Sequence, residues 1–193
     1  MSAGEHQLTL RLAQDDDDVR AAQRLRYRVF VTELGGSGAM VDHQNGLEID
    51  EFDPFYDHLL LIDETRDAAR LDHVVGVYRL MRSDAARRAG GFYTQTEYDL
   101  TPLIDSSKIL LELGRSCVHP DYRGGKAMYF LWRGLADYVA QHRIEVLFGV
   151  ASFHGTDIAR LAEPLSMLHH RHLAPPEYRV RAHSDNHLSM NMI

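Results

Sequence analysis

Apolar residues recur with a period of two at Leu8, Leu10 and Leu12, then near helical spacing at Val19, Ala22, Leu25, Val29 and Phe30. These periods predict a strand over Glu5 to Leu12 followed by a helix. Asp15 to Asp18 stands at the helix start, where carboxylates cap unpaired N–H groups and match the dipole; the run lacks the ligand spacing of a calcium loop and reads as solvated. Gly35-Gly36-Ser37-Gly38 stops the helix, and a polar, acidic loop runs to Asp53-Pro54, expected to be mobile without ligand. His58 to Ile62 and Val74 to Met81 predict an antiparallel pair of strands. Ser83 to Ala89 reads as a short helix ended by Gly90-Gly91, and Phe92 to Ile104 as irregular. Met128, Leu131, Leu135, Tyr138 and Val139 mark a further helical face. Val146 to Ala151 reads as a short buried strand, and Thr156 to Leu168 as a helix interrupted at Pro164. The mixture, without internal repeat or linker, predicts one α/β domain over residues 1–193.

The run Leu110 to Val118 carries Glu112 and Arg115 inside an otherwise apolar strand and leads through His119 to Ala127 into the next helix. Charges in a core strand are costly unless paired or used in chemistry. Three positions apart, they face opposite sides of a regular strand, so a shared role requires a bulge at Gly114 to Ser116. Such a bulge also frees strand amides of Ser116, Cys117 and Val118 to polarise a carbonyl. The segment Arg123, Gly124, Gly125, Lys126 and Ala127 sits at a helix N-terminus, which suits an anionic ligand.

The lone Cys117 allows no internal disulfide and fits a reducing cytosol. The N-terminus lacks a signal-peptide pattern and no apolar run approaches the ~20 residues of a membrane span, which points to a cytoplasmic protein with at most a peripheral membrane contact. A net charge of −7 disfavours general nucleic-acid binding. Arg82, Arg87 and Arg88 suit either an acidic carrier protein, anionic lipid headgroups or ordinary surface. His169-His170-Arg171-His172 lacks a supporting carboxylate or cysteine set, so no metal is expected there.

Several segments in order closely resemble the ornithine N-acyltransferases: Arg26-Tyr27-Arg28-Val29-Phe30, Asp50-Glu51-Phe52-Asp53, Asp57-His58-Leu59, Val75 to Leu80, Gly91-Phe92-Tyr93 and Leu111 to Val118. A sparser pattern is similar to the acyl-homoserine-lactone synthases: an arginine four before a phenylalanine (Arg26, Phe30), two acids three apart (Asp50, Asp53), a later arginine (Arg79), and Glu112 with Arg115. Both families resemble the GCN5-type N-acetyltransferases. The resemblance implies a mixed β-sheet flanked by helices and opened between two central strands for a thioester arm. It further implies transfer of a 3-hydroxy fatty acyl group from the phosphopantetheine of acyl carrier protein to the α-amine of ornithine, giving lyso-ornithine lipid, with no tightly bound cofactor. Tyr122 stands where the acetyltransferase phosphate loop has arginine or glutamine, which favours a carrier's single phosphate over a coenzyme A pyrophosphate. The chain is shorter than those relatives and ends in a strand-like alternation, Leu188 to Ile193, which leaves truncation open.

On this reading Glu112 is the general base, directly or through a water, with a structural ion pair to Arg115 or Arg79 as its other role. Arg26, Phe30, Asp50, Asp53 and Arg79 would wall an amino-acid site, unless the charges simply pair with one another. Cys117 is expected as a small core residue rather than an acyl-bearing nucleophile. Competing functions are another N-acyl amino acid synthase, a lactone synthase consuming S-adenosylmethionine, and a non-catalytic acyl-carrier or lipid-binding module.

Overall fold

The computed structural model describes residues 7–153, 155–184 and 187–193; the predicted strand start at Glu5 lies outside them. Five strands form a mixed sheet in the order β1-β2-β3-β5-β6: β1 (Leu8–Leu12), β2 (Asp57–Asp63), β3 (Val74–Arg82), β5 (Leu110–Val118) and β6 (Val146–Phe148). All neighbours run antiparallel except β5 and β6, which are parallel. A separate two-stranded ladder joins β4 (Tyr98–Asp99) to β7 (Arg181–Ala182).

The continuous apolar run of β2 is explained by burial on both faces. Leu59 and Leu61 pack with Val75, Leu80 and Leu111 against Leu131 and Leu135 of α4 (Ala127–His142). Leu60 and Ile62 pack with Val77 and Cys117 against Ala21, Ala22 and Leu25 of α1 (Asp16–Arg26). Each such leucine contributes about 1.5–3 kcal/mol on leaving water. Met81, Leu110 and Phe92 form a third cluster under α2 (Ser83–Ala89) and α3 (Thr101–Ile104). Asp15 caps α1 as expected, but Asp18 is buried and ion-paired to Arg11, so that run is only partly solvated.

α1 continues into a π-helical segment, Tyr27–Glu33, before the glycines end it. There Gly36 N–H reaches the Phe30 carbonyl at 2.7 Å, and a Cβ at Gly36 would lie 2.6 Å from that oxygen, so only glycine fits.

Several sequence expectations change. Met128 is exposed; Ala127, Leu131, Gly134, Leu135 and Tyr138 form the buried face of α4. β6 is shorter than predicted and half-exposed because it is the last strand of the sheet. The irregular segment contains β4 and α3. α5 (Ile158–Arg171) runs through Pro164, starting at the Asp157 cap. The C-terminal segment is not a strand: Met192 and Ile193 N–H groups donate to Ser166 Oγ on α5, each at 3.1 Å. Among the described residues no helix is long and apolar enough to cross a membrane.

β5 and β6 pair only from Leu110↔Val146 to Glu112↔Phe148. Beyond that point β5 has no strand partner on this side among the described residues, and Leu113 to Ser116 are half-buried although they lie inside the sheet. The strands part at Gly149, where an added Cβ would stand 2.3 Å from the Leu113 carbonyl oxygen. Gly149→Ala is therefore expected to force β6 away from β5 and cost about 1–3 kcal/mol, read as a lowered urea midpoint. An unchanged midpoint would mean that the approach is not tight.

Candidate active site

The bulge expected in β5 is present. Val77 opposes Cys117 and Arg79 opposes Gly114, so β5 holds one residue more than β3 between these pairs, and Arg115 takes φ +49°. A left-handed backbone at a residue with a side chain costs about 1–2 kcal/mol, which the surrounding contacts must offset. Its effect is to put Glu112 and Arg115 on one side of the sheet. The Arg115 guanidinium lies 5.2 Å from the Tyr93 ring centroid, and the Tyr93 N–H donates to Glu112 Oε2 at 3.1 Å.

Below the bulge, three arginines meet three carboxylates. Arg26 Nη1 donates to Asp53 Oδ1 (2.6 Å) and its Nη2 to the Glu48 carbonyl (2.8 Å), with a further ion pair to the Glu48 carboxylate. Arg79 Nη1 donates to Asp53 Oδ1 (2.7 Å) and Asp50 Oδ2 (2.6 Å), and its guanidinium lies 4.2 Å from the Tyr56 ring centroid. Arg115 Nε donates to Glu48 Oε1 (3.0 Å), with Nη2 3.4 Å from Asp50 Oδ2. Gln23 Nε2 completes Asp53 at 2.9 Å. Burial alone would push the Asp53 carboxyl up, but the charges and hydrogen bonds of Arg26 and Arg79 outweigh it and hold it well below the usual carboxylate range.

This geometry corrects the expected amino-acid wall. Arg26 and Arg79 are fully enclosed and Asp53 is 5% exposed, so these three pair with one another and fix the loop after α1 to the sheet. The loop expected to be mobile is thus held by its acids. Within this network Asp50 and Arg115 reach furthest towards the surface, with side chains 16% and 25% exposed. Phe30 packs against the α1 core cluster. Glu48 belongs to the network and was not anticipated; its only sequence signal is an acid two residues before Asp50 in the same loop.

Glu112 is enclosed as well. It is 1% exposed, and its carboxylate accepts from Tyr56 Oη (2.5 Å), Tyr93 N–H (3.1 Å) and Thr94 N–H (2.6 Å). Neither Arg79 nor Arg115 is its partner. A general base needs a lone pair facing the proton it removes. Here three of the carboxylate's four lone-pair sites are taken, by the turn Tyr93–Thr96 and by a phenol whose pKa is raised, first by burial and then by Glu112 itself. Glu112 therefore positions this turn against β5.

Cys117 points into the α1 core, and burial pushes its thiol up to about 12, so it is a protonated core residue. Val118 packs in the α4 core, while Ser116 is half-buried in the bulge. In the loop, Gly124 has φ +72°, Gly125 and Lys126 are exposed, and Ala127 begins α4. Arg123 forms an exposed pair: its two Nη groups bind Glu33 (2.6 and 2.7 Å) and its Nε the Val118 carbonyl (3.1 Å). Tyr122 is buried and hydrogen-bonded to Asp63. Arg82 Nη1 donates to His142 Nδ1 at 2.8 Å and Arg88 pairs with Asp84 at 3.8 Å, while Arg87 forms no ion pair among the described residues. His169 and His170 stack edge-to-face in the last turn of α5, and no metal-holding group exists among the described residues.

Residues 25–133 match the family model described as an acetyltransferase (GNAT) domain. The chain is 62% identical over 182 residues to an L-ornithine N(alpha)-acyltransferase of Rhodobacter capsulatus, covering 94% of this chain and 70% of that protein. It is 41% identical to one of Brucella abortus, covering 96% and 67%. Among solved structures, the AHL synthase LasI superposes with a TM-score of 0.53 at 20% identity, covering 76% of this chain and 73% of that one. FeeM, an N-acyl amino acid synthase from uncultured soil microbes, gives 0.52 at 14% identity, covering 75% and 71%. At these identities the two likenesses show a shared fold.

Proposed function

This chain belongs to the L-ornithine N(α)-acyltransferase family, on an acetyltransferase (GNAT) domain, and from that premise we propose that it moves a 3-hydroxy fatty acyl group from acyl carrier protein to the α-amine of ornithine, giving lyso-ornithine lipid. The observation that carries this reading is the unpaired stretch of β5 from Leu113, bent at Arg115, with Asp50 and Arg115 at its rim. An extended phosphopantetheine arm would lie along that edge, strand amides near Ser116 would polarise the thioester carbonyl, and the Gly124-Gly125 turn with Lys126 would hold the phosphate.

Asp50 would take an ammonium of the acceptor and Arg115 its α-carboxylate. The acceptor amine attacks as the free base, its proton passing to solvent at the open rim. The new C–N bond forms as the C–S bond breaks, and the thiol of the carrier leaves. Glu112 acts here by fixing Tyr93, whose ring supports Arg115.

Incubation with 3-hydroxyacyl carrier protein and ornithine tests the reading through thiol release and product mass. N-acyl-ornithine supports it; release only with another amino acid or with S-adenosylmethionine reassigns the acceptor, and carrier binding without release under any amine overturns it. In the same assay Arg115→Ala is expected to raise KM for the acceptor about 10–100-fold, the worth of a hydrogen bond to a charged group, with KM for the donor little changed. Equal changes in both constants would remove Arg115 from acceptor binding.

A further inference from the structure

On the flank of α1 and the π-helical segment opposite Arg26 and Phe30, a second cavity of about 670 Å³ opens between this helix, the turn around Asn45 and the start of β3 at Val74. It lies on the β3 side of β5, away from the β6 side on which the pairing of β5 ends at Glu112.

Arg24 and Arg28, one helical turn apart and both exposed, line the cavity and form no ion pair among the described residues. The one acid in the wall, Asp72, is already paired with Arg66, so it does not neutralise the pair.

His119, 2% exposed, forms part of the inner wall. Its Nδ1 accepts the Asp121 N–H at 3.2 Å, which leaves the proton of the neutral ring on Nε2, and Nε2 has no hydrogen-bond partner. Burial, then the charges of Arg28 and Arg66, hold this imidazole below the usual histidine range, so the ring stays neutral near pH 7. A buried N–H without an acceptor is costly and calls for an oxygen ligand. Leu25, Leu71 and Val74 supply an apolar floor.

We propose that this cavity binds a small phosphate monoester, with its phosphate between Arg24 and Arg28 and its organic part over Leu25 and Val74. Two guanidiniums and an N–H exceed what the two oxygens of a carboxylate match, and their charge balances a phosphate dianion. A free ester and the phosphomonoester headgroup of phosphatidic acid present the same chemistry.

Calorimetric titration of the full chain with glycerol 3-phosphate, inorganic phosphate and uncharged glycerol tests the site, alongside sedimentation with vesicles containing phosphatidic acid. The expected result is binding of the ester, weaker binding of inorganic phosphate and none of glycerol. Affinity should fall tenfold or more in Arg24→Ala/Arg28→Ala and stay unchanged in Arg87→Ala. Arg28→Lys, which keeps the charge without the planar fork, should bind more weakly than the parent and covers the case of a double variant that unfolds. Ester binding without sedimentation identifies a soluble ligand; sedimentation abolished by Arg28→Lys together with ester binding identifies a headgroup. No binding of ester or phosphate, binding unaltered by these substitutions, or sedimentation alone overturns the proposal.

Discussion

Asp53→Ala is expected to lower the unfolding free energy by about 3–5 kcal/mol, because it strands two enclosed guanidiniums, Arg26 and Arg79, without their shared carboxylate. The loss is not that of a single salt bridge. Asp53 also accepts from Gln23, so its removal leaves neutral as well as charged donors unsatisfied in a site that water does not reach. Urea denaturation at pH 7 measures it; a loss below about 1 kcal/mol, the size of a surface pair, would mean that the network relaxes freely. Acid provides a second readout. Since the folded carboxyl titrates below its unfolded value near 4, its stabilising share is fully present above about pH 4 and is lost as pH falls through the folded value. Asp53→Asn removes that share beforehand, so its stability should decline less steeply in this acid range than that of the parent.

Glu112→Gln should reduce both turnover and stability, the latter by about 1–3 kcal/mol, because the new amide N–H group turns towards donors that need an acceptor. A residue serving only as a base would lose turnover with stability intact. Turnover and urea midpoints of Glu112→Gln and Tyr56→Phe separate the two parts: both variants should be destabilised, Tyr56→Phe by roughly 1 kcal/mol. Full stability in Glu112→Gln, with turnover lost, would restore it as the base.

The strands β1, β2, β3 and β5 and the helices α1 and α4 were legible because their apolar periods report burial on one or both faces. The bulge was legible from chemistry: Glu112 and Arg115, three apart in one strand, cannot share a face otherwise, and Gly114 sits where the backbone bends. The roles inside the network were not legible. Nothing in the order of residues distinguishes Asp53, which is sealed, from Asp50, which reaches the rim, since that depends on how the loop before β2 lies across the sheet. The surroundings of Glu112 were hidden for a similar reason. Its partners are mainly backbone N–H groups of Tyr93 and Thr94, and main-chain donors leave no mark in a sequence. Glu48 escaped because a lone acid in a polar loop has no distinguishing signal.

Three positive and three negative side chains close on one another beneath the bulge, so the assembly sums to zero. A neutral cluster casts little field into the surrounding solution, unlike a cleft lined with one sign. An amino acid would thus be recognised by touch at the rim rather than drawn in from afar, and a zwitterion could extend the alternating lattice of charges without upsetting its balance.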